Sequence, residues 1–205
     1  MILTLGIMVG AYYYSSLNSI SRLLLFYLLA SFIFDILSRV IGMVNGNNLI
    51  LWPLLGLLEL AVFSKLYLKF IKKRKGIWTL VLMGIVYMLL EIVYIDSGNE
   101  TAFQPYSKIV ASFLVVLMVL VYFFQNIDSE VKISRNKLYL NFTILVFFAF
   151  NLVLLLPLNF LINEGSDLSF SVLLVYLIVN LLFYSYLIYF IWKNGKNPKP
   201  LLYGL

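Results

Sequence analysis

The sequence predicts an all-α, polytopic membrane bundle of about seven transmembrane helices, with the N-terminus outside and the C-terminus in the cytoplasm. Of its 205 residues, 63% are hydrophobic and 12% charged, with a mean hydropathy of +1.00. A soluble domain carries roughly a quarter charged residues. The apolar residues come in continuous runs of about 20, the length a helix needs to cross hydrocarbon. They lack the alternation of a barrel strand. The basic residues gather at alternate ends of these runs, which orients the chain.

Seven runs follow in order. The first covers residues 2–18, with Gly6 and Gly10 at a spacing that lets helices approach closely, and it ends in an aromatic belt at Tyr12, Tyr13 and Tyr14. The second covers 22–43. The third, 48–70, opens on Trp52–Pro53, where proline suits a first turn. The remaining four cover 77–95, 107–127, 138–162 and 168–192. The connections are too short for a soluble domain, so residues 1–205 read as one bundle. The N-terminus lacks the basic region of a cleavable signal.

One set of connections holds Arg22, Lys69, Lys72, Lys73, Arg74, Lys75, Lys132, Arg135 and Lys137, joined by Lys193, Lys196 and Lys199 in the tail. The opposite set holds Asp96, Glu100, Glu164 and Asp167, with Lys108 as its one basic residue. Lys65 reads as snorkelling to the basic interface. The run Lys72, Lys73, Arg74 and Lys75 reads as a topology determinant touching anionic headgroups, with docking of a cytoplasmic protein as the sharper alternative. Nucleic acid is disfavoured, because topology accounts for the net charge of +6. Asn99-Glu100-Thr101 fits a glycosylation acceptor on an outer loop.

There is no cysteine and no histidine. This disfavours disulfides, thiol nucleophiles and the usual zinc ligands. No metal or cofactor is predicted, and an enzyme is disfavoured because no nucleophile accompanies the carboxylates.

The candidate ligand or ion pocket is drawn from polar residues inside the runs. Asp35 and Arg39 stand at i and i+4 on one face of the second helix. Charges at that depth cost a few kcal/mol unless they face protein or a wet cavity, so this face is expected to turn inward. At about 1.5 Å per residue, Glu59, Asn151 and Asn180 fall near the midplane, and Glu91 and Asn159 further out. The pocket is therefore expected in the outer half of the bundle, on spans two, three, four, six and seven. Span five, offering only Ser112, reads as a packing helix. With three carboxylates against one arginine, Glu59 or Glu91 is left as a proton carrier or as counter-charge to a cationic ligand. Interhelical hydrogen bonding is the plainer reading of Asn151, Asn159 and Asn180. Pro157 predicts a bend in span six and an unwound turn beside Asn159.

Phe32-Ile33-Phe34-Asp35 aligns with Phe148-Ala149-Phe150-Asn151, and the segment from Glu59 to Leu66 aligns with that from Asn180 to Leu187. This suggests a 3+1+3 parallel repeat, spans 1–3 and 5–7 joined by span four. The span count and orientation resemble those of microbial rhodopsins, but span seven has Asn180 at mid-depth and no lysine before Lys193, so no retinal Schiff base is expected. The 3+1+3 pattern is similar to that of small carriers of the SWEET and PnuC type, whose proline–glutamine motifs are missing. The whole chain also resembles small bacterial seven-helix membrane proteins of presumed sensory or regulatory role. That resemblance implies a multi-pass protein of the cell membrane, in bacteria the inner membrane. Such a protein binds a small ligand in an outward-facing pocket and signals to a separate cytoplasmic partner. The alternative is a small transporter, channel or homo-oligomeric pore, including a defence-system accessory, using intramembrane carboxylates.

Overall fold

A computed structural model describes residues 1–46, 48–71, 75–96, 106–127 and 134–197. Lys72, Lys73 and Arg74 of the basic run, and the Asn99-Glu100-Thr101 acceptor, lie outside the described residues. Lys75 is described only as the first residue of a helix.

The described residues form seven α-helices: α1 (Ile2–Tyr12), α2 (Ser19–Asn45), α3 (Leu51–Tyr67), α4 (Lys75–Asp96), α5 (Tyr106–Ile127), α6 (Arg135–Asn163) and α7 (Leu168–Lys196). Five of them, α2 and α4–α7, are long and apolar enough to cross a membrane. The other two are shorter, with 11 residues in α1 and 17 in α3. Local signals set several boundaries. The Asn18 side chain accepts the Ser21 N–H at 2.8 Å and caps α2. Ser134 caps α6 by accepting the Lys137 N–H. Pro53 sits in the first turn of α3, where its missing N–H goes unneeded. Pro157 does not unwind its helix: α6 runs unbroken from Arg135 to Asn163. The expected unwound turn is therefore not formed, and Pro157 itself is exposed rather than facing a pocket.

Six helices close a ring by neighbour contacts, in the order α1, α2, α3, α5, α6, α7 and back to α1. α4 lies outside this ring, against α3 and α5. The most enclosed element is α3, with ten of its 17 residues buried. α1 meets its neighbours through its glycines. A Cβ on Gly6 would stand 2.7 Å from Ile188, and one on Gly10 would clash with Leu25. The small-residue spacing thus sets the α1–α2 and α1–α7 approach, as expected.

The two ends of the bundle differ. At one end Lys69 Nζ donates to Ser19 Oγ at 2.9 Å, Lys193 Nζ to Asn136 Oδ1 at 3.3 Å, and Ser16 Oγ to the Gly195 carbonyl. Arg22 lies over the Tyr14 ring and Lys137 over Phe70. At the other end Glu164 and Asp167 are exposed. The middle is aromatic. Phe147 stacks on Phe183 at 3.8 Å, Phe148 meets Phe63 edge-on at 4.8 Å, and Tyr27 meets Phe63 at 5.3 Å. All five rings are buried.

α2 and α7 contribute to this core only in their halves toward the basic end. The buried residues of α2 stop at Ser31, and those of α7 begin at Phe183. Beyond those points the two helices part from the bundle and leave space between them.

Candidate functional site

The space between the halves of α2, α3 and α7 that lie away from the basic end is a cavity of about 700 Å³, within the range of small-molecule sites. One wall is apolar, with Leu51 and Leu55 of α3 and Leu173 and Leu177 of α7. The polar lining comprises Ser31, Asp35, Ser38 and Arg39 of α2, Asn48, Lys108 of α5, and Tyr176, Asn180 and Tyr184 of α7.

Asp35 and Arg39 form the expected i, i+4 ion pair, Nη2 to Oδ2 at 3.3 Å. They do not turn into the protein, as their depth had suggested. The Arg39 side chain is 72% exposed and that of Asp35 51%, both at the open mouth. The wet-cavity alternative to burial applies here. Asn48 Nδ2 donates to Ser38 Oγ at 2.5 Å and ties the chain beyond α2 back to the same face.

The floor is built around Lys108, whose role the sequence reading missed. It is not a loop residue. It lies in the first turn of α5, is 2% exposed, and pairs with Glu59 at 3.3 Å. Its ammonium lies 5.7 Å from the Trp52 ring centre and 5.5 Å from that of Tyr176, within cation–π range. Glu59 Oε1 also accepts from the Tyr27 hydroxyl at 3.3 Å. Its Oε2 is buried and has no hydrogen-bond partner among the described residues. The carboxylate surplus inferred from sequence is thus corrected: Glu59 has its cation, supplied by the helix expected to offer only Ser112.

Several residues hold Lys108 in place. Ser107 Oγ donates to Glu91 Oε2 of α4 at 2.6 Å, and Asn159 Nδ2 of α6 donates to the Tyr106 hydroxyl at 2.8 Å. On the α3 side, a Cβ at Gly56 would lie 3.1 Å from the Ser107 carbonyl oxygen and 3.3 Å from the Lys108 nitrogen. Gly56 therefore lets the backbone of α5 reach α3 one turn from Glu59. Glu91 and Asn159 are not cavity-lining residues: they anchor the helix start that carries the charge. Asn180 does line the cavity, and its Nδ2 donates to the Tyr176 carbonyl at 2.7 Å. Asn151 is fully buried, does not line the cavity, and its amide has no hydrogen-bond partner among the described residues.

Below the floor the described side chains are buried and closely packed. Tyr27 touches Glu59 on one side and the Phe63, Phe183 and Tyr184 rings on the others. Further toward the basic end, Tyr67 Oη donates to Asn141 Oδ1 at 2.7 Å, both groups buried. No group of three metal-ligating carboxylates occurs among the described residues. No family model, curated protein or solved structure matches the chain.

Proposed function

We propose that this protein is a receptor-like or regulatory membrane subunit. A small ligand enters the cavity at the outer end of a seven-span bundle, and a separate cytoplasmic partner reads the change at the basic end. The observation that carries this reading is the 700 Å³ cavity whose polar floor rests on a closed aromatic layer. A pore needs a polar path through both halves. A receptor needs a ligand site in one half and packed helices that respond in the other. The orientation, N-terminus out, rests on the clustering of Lys69, Lys137, Lys193 and Lys196 at the end opposite the cavity.

A second reading, a small carrier, is favoured by the order of the ring. Exchanging α1–α3 with α5–α7 carries α1·α2 onto α5·α6, α2·α3 onto α6·α7, and α3·α5 onto α7·α1. This order is compatible with a 3+1+3 parallel repeat with α4 as the connector. A carrier of this kind would break the Glu59–Lys108 pair when substrate binds, then close outside and open inside.

Solute and proton flux into liposomes separates the two. The receptor reading expects flux no higher than in protein-free vesicles, for the native chain and for Glu59→Gln alike. Flux that the native chain supports and Glu59→Gln abolishes would overturn it in favour of the carrier.

A further inference from the structure

The cavity presents its charges unequally. At the mouth, Arg39 and Asp35 neutralise each other. At the floor Lys108 lines the cavity and Glu59 does not. An ammonium has three N–H donors, and the Glu59 oxygen at 3.3 Å together with the Tyr176 side chain does not use them all. The flanking rings of Trp52 and Tyr176 already have a cation in front of them, so a second cation would meet repulsion. The chemistry that fits this floor is an anion, and the chemistry that fits the leucine wall beside it is an alkyl chain.

We propose that Lys108 receives the carboxylate or phosphate headgroup of an anionic amphiphile, with an alkyl tail along Leu51, Leu55, Leu173 and Leu177. This rests on the reading of the cavity as a ligand site and names the class of ligand. Glu59 makes the site workable: it allows the ammonium to stay buried when no ligand is bound, and it leaves donor capacity turned to the cavity. A charge-assisted hydrogen bond in a desolvated site favours an anionic headgroup over a neutral one of equal length by about tenfold or more.

Trp52 lines the cavity, whereas Trp78 and Trp192 lie exposed elsewhere. A Trp78→Phe/Trp192→Phe chain, purified in an uncharged detergent, therefore reports occupancy through Trp52 emission. The probes are 6-bromodecanoate, 6-bromodecanol and 6-bromodecylamine, whose mid-chain bromine quenches a tryptophan near the headgroup. Decanoate is expected to bind about tenfold or more tighter than decanol, and decylamine weaker than either. Lys108→Gln alone risks misfolding by stranding Glu59, so the decisive variant is Glu59→Gln/Lys108→Gln. There the decanoate preference is expected to vanish while decanol binding persists. The proposal is overturned if decanoate binds no tighter than decanol, if decylamine binds tightest, or if the preference survives in the double variant. If none of the three probes quenches Trp52, the ligand-cavity reading itself fails. Nanodiscs of phosphatidylcholine with and without phosphatidylglycerol identify the source of the headgroup. Protection of Trp52 from brominated decanoate by the anionic lipid supports a bilayer lipid, and quenching unaffected by that lipid supports a free amphiphile.

Discussion

Removing one partner of the Glu59–Lys108 pair should cost far more than removing both. The side chains are 1% and 2% exposed, and Oε1 meets Nζ at 3.3 Å. Lys108→Met leaves a buried carboxylate facing only the Tyr27 hydroxyl. Stranding a buried charge costs about 3–5 kcal/mol. Glu59→Leu leaves the ammonium against the Trp52 and Tyr176 rings. Each ring retains about 0.5–2 kcal/mol of cation–π attraction, so this loss should be smaller, about 2–3 kcal/mol. Glu59→Leu/Lys108→Met removes both charges and should fall within about 1 kcal/mol of the native chain. The coupling energy between the sites is then about 4 kcal/mol or more. It can be measured as a double-mutant cycle by unfolding in mixed micelles of rising denaturing-detergent fraction. Additive losses, with coupling below about 0.5 kcal/mol, would mean that the pair is already solvated, and the picture of a desolvated floor would be wrong.

Gly56→Val should force α5 off α3, lower stability by about 1–3 kcal/mol and weaken quenching of Trp52 by bound probes, both readable on one sample. Asn151→Leu removes an amide that is fully buried and lacks a partner among the described residues. It should raise stability by about 1 kcal/mol or more, and a loss in detergent unfolding would point to a buried water there. Tyr67→Phe deletes the 2.7 Å bond to Asn141 and should cost about 0.6–1.5 kcal/mol. Because the chain has no cysteine, Ser166→Cys and Lys196→Cys each give a single thiol. In intact cells a membrane-impermeant maleimide should label the first and not the second, and the reverse pattern would invert the orientation.

The helical class was legible because it needs only composition and run length, and α5 to α7 begin or end within a few residues of the apolar runs. α1 and α3 were harder to bound. The runs extend past Tyr14–Ser16 and past Lys69, whereas the helices stop at Tyr12 and Tyr67, because tyrosine, serine and lysine are all tolerated at a membrane interface and do not mark where a helix ends. The Asp35–Arg39 pair was readable from spacing alone, but its direction was not. Inward and cavity-facing burial satisfy the same cost, and only the parting of α2 from α7 decides between them. Lys108 was missed because a lysine near a run end is ordinarily a loop or snorkelling residue. A usable signal existed: carboxylates outnumbered cations inside the runs, and Gly56 stood one turn before Glu59, where another backbone could come close. Glu91 and Asn159 were picked out for their depth, but what they grip is the start of α5.

The outer halves of α2 and α7 make a wall a single helix thick, with Ile33 and Leu37 on one and Leu174 and Ile178 on the other exposed on its far side. If the bundle spans a bilayer as proposed, that far side meets acyl chains, and entry between the two helices would be lateral. Molecules dissolved in the lipid then supply the cavity, and its occupancy follows their concentration in the membrane: the aqueous concentration multiplied by the partition coefficient. Apparent potency measured against aqueous dose should therefore shift with the lipid-to-protein ratio, while the ranking at equal membrane concentration reports the site itself.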